Sequence, residues 1–113
     1  MTIERHDPGE FFSQAVVHGD TVYLAGHVAP GASVTEQMTK ILAQIDQRLA
    51  AVDSDRSKLL SATIWLADIA TFAEMNAVWL GWIDPENKPV RATVEARLAD
   101  PAFVVEVMIT AAR

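Results

Sequence analysis

Residues 11–28 carry apolar positions in a strand-like pattern of period two, in which Phe12, Gln14, Val16 and His18 alternate against Ser13, Ala15 and Val17. The alternation resumes in Thr21-Val22-Tyr23-Leu24-Ala25-Gly26 after His18-Gly19-Asp20. Glycine can take the positive φ of a tight turn, so this stretch predicts a β-hairpin that turns at Gly19. A short strand over residues 2–5 is expected before it. Ala29-Pro30-Gly31-Ala32 then breaks the pattern. From Ser33 the period becomes helical, with Val34, Met38, Ile41, Leu42, Ile45, Leu49 and Val52 on one stripe. Ser33-Val34-Thr35-Glu36 has the form of a capping box, and Asp53-Ser54-Asp55 closes the helix.

Alternation returns over residues 59–67, with Leu60, Ala62, Ile64 and Leu66 set against Leu59, Ser61, Thr63 and Trp65. A second helix is predicted from Thr71-Phe72-Ala73-Glu74, again a capping-box pattern, with Phe72, Met75, Val78, Trp79 and Trp82 on its apolar side. The two prolines and the asparagine of Asp84-Pro85-Glu86-Asn87-Lys88-Pro89 predict a loop. Strands over 90–98 and 103–111 follow, separated by Ala99-Asp100-Pro101. The expected order is β-β-α-β-α-β-β, an α+β domain over residues 1–113 with one mixed sheet and two helices on one face.

The last strands point beyond one subunit. Val90, Ala92, Val94, Ala96 and Leu98 alternate with Arg91, Thr93, Glu95 and Arg97. Phe103, Val105, Val107, Ile109 and Ala111 form a clean apolar side, whose reverse carries Val104, Glu106, Met108 and Thr110. Two helices leave the other sheet face uncovered, and Trp65, Val104 and Met108 make that face too apolar for solvent alone. It predicts packing against another subunit.

Composition narrows the partners. The chain has 113 residues, a formal net charge of −6, and nine Lys and Arg scattered without a stripe, so a nucleic-acid partner is not expected. Cysteine is absent, which removes disulfides and thiolate chemistry. The first residues lack the basic-then-apolar form of a signal peptide, and no apolar run approaches the ~18 residues of a membrane span. A cytoplasmic location is expected, with no membrane partner.

Arg91 and Glu106 are the foremost candidates, expected on the same mixed side of neighbouring strands. A guanidinium fork suits a carboxylate, and a carboxylate can hold or polarise water. The same two residues could equally form an ion pair that only assists assembly. His6, His18 and His27 lie on separate segments without ligand spacing, so no metal is expected; His27, at a strand end, is the histidine nearest a possible pocket. Trp79 and Trp82 read as packing residues, and Asn76 either as an exposed helix residue or as support near Arg91. No phosphate loop, catalytic Ser–His–Asp set or nucleophile elbow is present.

Ala67-Asp68-Ile69-Ala70-Thr71-Phe72-Ala73-Glu74-Met75-Asn76, Pro89-Val90-Arg91-Ala92-Thr93-Val94-Glu95 and Val105-Glu106-Val107, with Gly26 ahead of them, resemble the RidA/YjgF family in order and spacing over nearly the whole chain. The resemblance implies a chorismate-mutase-like fold of the bacillus type, and a homotrimer with clefts between subunits. It also implies hydrolysis of reactive enamine or imine acids to 2-keto acids and ammonia, without a cofactor. In that scheme Arg91 clamps the substrate carboxylate, Glu106 positions the attacking water, and Asn76, Thr93, Phe12, Ala25 and Gly26 surround the substrate. Phe12, Ala25 and Thr93 stand where the best-known deaminases carry tyrosine, serine and cysteine, and the segment between Arg91 and Glu106 is one residue shorter. Two rival expectations follow from the same scaffold: a non-catalytic binder of small carboxylates, and a chaperone-like interaction protein.

Overall fold

The computed structural model describes residues 1–113. Six strands form one mixed sheet: β1 (Ile3–Pro8), β2 (Ser13–His18), β3 (Thr21–Leu24), β4 (Leu59–Leu66), β5 (Val90–Glu95) and β6 (Val105–Ala112). They are arranged in the order β1-β2-β3-β6-β4-β5, with β4 and β5 parallel and all other neighbours antiparallel. Two helices, α1 (Val34–Ala50) and α2 (Phe72–Trp82), cover one face. The predicted elements all form, and β1 runs beyond the expected residues 2–5 to Pro8. Two short 3-10 turns, Arg56–Lys58 and Ile69–Thr71, were not expected.

The hairpin joins β2 to β3 with His18 paired to Thr21, leaving Gly19 and Asp20 as the loop. Gly19 has a φ of 63°, at the first loop position that a type II′ turn reserves for glycine. Helix α1 begins as its sequence predicts: the Glu36 N–H donates to Ser33 Oγ at 3.1 Å, and Glu36 Oε2 reaches back to the Ala32 N–H at 2.9 Å. All seven positions of its predicted stripe are buried. Each large aliphatic among them contributes about 1.5–3 kcal/mol relative to an exposed position.

The second capping box does not form. Thr71 caps no N–H of α2; its hydroxyl donates to the Asp68 carbonyl at 2.6 Å. Glu74 instead accepts from the Thr35 N–H and hydroxyl, both at 2.9 Å, tying the start of α2 to the first turn of α1. In β4 a bulge between Leu59 and Ser61 resets the alternation, so Leu59 is buried and Leu60 exposed. The last two strands are shorter than expected. Val104, predicted on the uncovered face, lies before β6 and packs against the core, its N–H bound to Gln37 Oε1 at 2.9 Å.

The main departure concerns strand neighbours. Strand β4 lies between β5 and β6, so Arg91 and Glu106 are not on adjacent strands. Arg91 pairs in register with Ala62, and Ala62 with Ile109, all on the helix-covered face. Glu106 pairs with Trp65, and Trp65 with Val94, on the open face. The expected shared side is therefore corrected: the two residues occupy opposite faces. Strand β5 also reverses the usual rule, turning Val90 and Val94 outward and Arg91 and Thr93 inward. Tyr23, Val94 and Met108 leave the open face with large exposed apolar groups.

Candidate active site

Two clusters of the expected site residues form at separate places. The first surrounds Arg91 on β5, the edge strand beside α2. Phe72, Asn76 and Trp79 recur at helical spacing on α2 and face this edge together. Asn76 Oδ1 accepts from Arg91 Nη1 at 2.8 Å. The guanidinium carbon lies 5.3 Å from the Trp79 ring centre and 5.7 Å from that of Phe72. Such contacts hold a cation by the negative face of the ring. Burial lowers the Arg91 pKa from its ordinary value, yet arginine stays charged in proteins. Arg91 belongs to none of the ion pairs of the chain, so the Arg91–Glu106 ion pair foreseen as one reading is not made within a subunit. Thr93 lies on the same side of β5, with Oγ1 buried and without a hydrogen-bond partner.

The second cluster surrounds Glu106 on the open face. A cavity of about 370 Å³ is lined by Phe12, Ser13, Val16, Tyr23, Leu24, Ala25, Gly26 and Glu106. Gly26 permits the closest approach: a Cβ there would lie 2.2 Å from Glu106 Oε2. Phe12, Ala25, Gly26 and Glu106 are thus brought together, and Arg91, Asn76 and Thr93 are brought together elsewhere. The sequence reading missed Phe72 and Trp79 as braces of Arg91, although their spacing with Asn76 was the signal. It also missed Ser13 and Tyr23, which give the Glu106 cavity two hydroxyls despite Phe12 and Ala25.

His27, which follows Gly26 in the chain, is buried. Its Nδ1 lies 2.8 Å from the Ala25 carbonyl, an acceptor, so Nδ1 carries the proton. Burial lowers its pKa below the usual 6.5; the Ala25 bond opposes that shift and the Arg48 charge adds to it.

A braced guanidinium without an ion-pair partner at a sheet edge and a glycine-backed carboxylate on the bare face give this α+β domain two separate candidate half-sites. A profile of the Endoribonuclease L-PSP family matches residues 2–113. The chain is 42% identical over 113 residues to the RutC family protein YoaB of Escherichia coli, covering 99% of each. It is 41% identical over 112 residues to a RutC family protein of Haemophilus ducreyi, covering 97% of this chain and 96% of the other. A crystal structure of a YjgF-family protein from Neisseria meningitidis superposes with a TM-score of 0.98 at 41% identity, covering 100% of this chain and 96% of that one. The chain belongs to this family, the RidA/YjgF group. No helix is long and apolar enough to cross a membrane.

Proposed function

We propose that the protein is a cofactor-independent enamine/imine deaminase whose site closes between subunits of a homotrimer. The observation that carries this reading is the Arg91 guanidinium, braced by Asn76 and two rings yet paired with no carboxylate of its own chain. A partly dry, preoriented arginine fork is suited to a substrate carboxylate. The Glu106 cavity on the open face supplies the complementary half, and the reversed pattern of β5 gives a neighbouring subunit an apolar surface to pack on.

In this reading Arg91 of one subunit anchors the carboxylate of a 2-imino acid against the Glu106 cavity of the next. Glu106 orients a water and accepts its proton as the oxygen bonds to the electrophilic carbon. Glu106 returns that proton to nitrogen to give a carbinolamine. It then takes the proton of the new hydroxyl and delivers it to nitrogen as the carbonyl forms and the carbon–nitrogen bond breaks, releasing a 2-keto acid and ammonia with Glu106 again a carboxylate. An imine is already electrophilic, so positioning supplies much of the acceleration. Metabolite repair in the cytoplasm is the corresponding physiological role.

The test generates imino acids in situ with an amino-acid oxidase and traps them with semicarbazide. Suppressed trapping is expected from the wild type and not from Arg91→Ala or Glu106→Gln. No suppression across several imino acids would defeat the deaminase reading. Thermal protection by a 2-keto acid, lost in Arg91→Ala, would then identify a non-catalytic carboxylate binder, the reading that the apolar Phe12 and Ala25 favour. Protection of an aggregating client in the absence of either property would point to the chaperone-like role. The family description names an endoribonuclease; a net charge of −6 weighs against a phosphate backbone as partner.

A further inference from the structure

We propose that His27 is a positioning residue for Glu106, acting through the backbone elbow Ala25-Gly26-His27. The inference rests on the reading of Glu106 as the water-positioning group. The elbow leaves β3 at Leu24 and belongs to no strand, so its peptide groups depend on individual hydrogen bonds. The Ala25 N–H donates to the Gln14 carbonyl at 2.9 Å. The His27 N–H donates to the Val107 carbonyl at 2.8 Å, and the Val107 N–H returns to the His27 carbonyl at 3.1 Å. The imidazole closes the set by donating from Nδ1 to the Ala25 carbonyl at 2.8 Å.

Gly26 sits in the middle of this set, against the Glu106 carboxylate. Glu106 is the residue before Val107, so the elbow and the carboxylate share one pairing on β6. Of the bonds fixing the elbow, only the imidazole bond comes from a side chain. Without it the Ala25 carbonyl loses its partner and the Ala25–Gly26 peptide plane is free to rotate. The Gly26 backbone would then move against Glu106.

The ring also borders a second cavity. A polar cavity of about 450 Å³ is lined by Gln14, His27, Gln44, Gln47, Arg48 and Ala51. Arg48 on α1 is paired with Asp7 of β1, and its charge disfavours a second proton on the imidazole. The neutral ring with Nδ1–H is thereby the form that holds the carbonyl.

Side-chain geometry supplies a discriminating test. Asparagine places an amide nitrogen near the position of Nδ1, whereas glutamine places one near Nε2. We expect His27→Asn to keep kcat for imine hydrolysis within about threefold, and His27→Gln and His27→Leu to lose about tenfold or more with little change in KM. The Glu106 carboxyl carbon, followed by NMR with its resonance assigned through Glu106→Gln, should shift in His27→Gln and His27→Leu and stay in place in His27→Asn. A wild-type kcat and an unmoved resonance in all three variants would overturn the proposal. So would an asparagine variant that falls as far as leucine. Should His27→Leu fail to fold, the Asn–Gln pair decides the matter. Absence of imine turnover in the wild type would refute the deaminase reading, while the Glu106 resonance still tests the positioning role.

Discussion

Replacing Gly26 by alanine probes the Glu106 cluster with a single methyl group. Gly19 alone among the glycines has a φ in the left-handed region, so the backbone at Gly26 accepts an alanine without strain. The new Cβ would lie 2.2 Å from Glu106 Oε2 and 3.1 Å from its Cδ, whereas ordinary contact begins at 3.4 Å. The carboxylate must therefore retreat by about 1 Å. Glu106 is half-buried beside an open cavity and can rotate away, at a stability cost of about 0.5–1.5 kcal/mol for the poorer rotamer. A water-orienting group misplaced by that distance costs about 100-fold in rate, equivalent to about 2.7 kcal/mol in the barrier. The semicarbazide-trapping assay should register that loss in Gly26→Ala, while the melting temperature falls by only a few degrees. A variant that folds and turns over at the wild-type rate would refute the placement of Glu106 in the reaction.

Asn76→Leu removes a hydrogen bond to a charged partner, worth about 1.5–3 kcal/mol, and should weaken 2-keto acid binding about tenfold or more by calorimetry. Asn76→Asp should weaken it further, because the new carboxylate competes for Arg91; wild-type affinity in that variant would rule out the guanidinium as the anchor. The lowered His27 pKa favours the neutral ring in the folded state, and the unfolded chain takes up more protons below about pH 6.5. Stability should therefore be fullest above that pH and decline as pH falls toward the folded-state pKa, with a shallower decline in His27→Asn; identical slopes in melting temperature from pH 8 to 5 would exclude this contribution. Met108→Glu places charge on the open face, and light scattering should show it shifting a trimeric wild type toward monomer; a wild type that is itself monomeric would defeat the intersubunit site.

The helices were legible because amphipathic periodicity is local: every stripe position from Val34 to Val52 is buried as read. The strands were legible as strands for the same reason. Their neighbours were not, because the insertion of β4 between β5 and β6 depends on crossovers that alternation does not encode. The face of Arg91 was lost with that order. In β5 the apolar side turns outward and the polar side meets α2, so the ordinary rule of hydrophobic-inside misdirects at the very strand that carries the candidate site. Glu74 shows a related limit: its capping spacing is genuine, but Thr35, distant in sequence, takes its carboxylate. The residue types of the site were readable from Arg91, Asn76 and Glu106, whereas their division into two clusters emerges only from the sheet.

The placement of Arg91 and Glu106 on opposite faces has a genetic consequence. If each cleft takes its arginine from one subunit and its glutamate from the next, two inactive alleles can complement. Mixing Arg91→Ala and Glu106→Gln chains at random in equal amounts would leave about one cleft in four with both wild-type groups. Cells carrying either allele alone would lack the activity, and cells expressing both would recover a fraction of it.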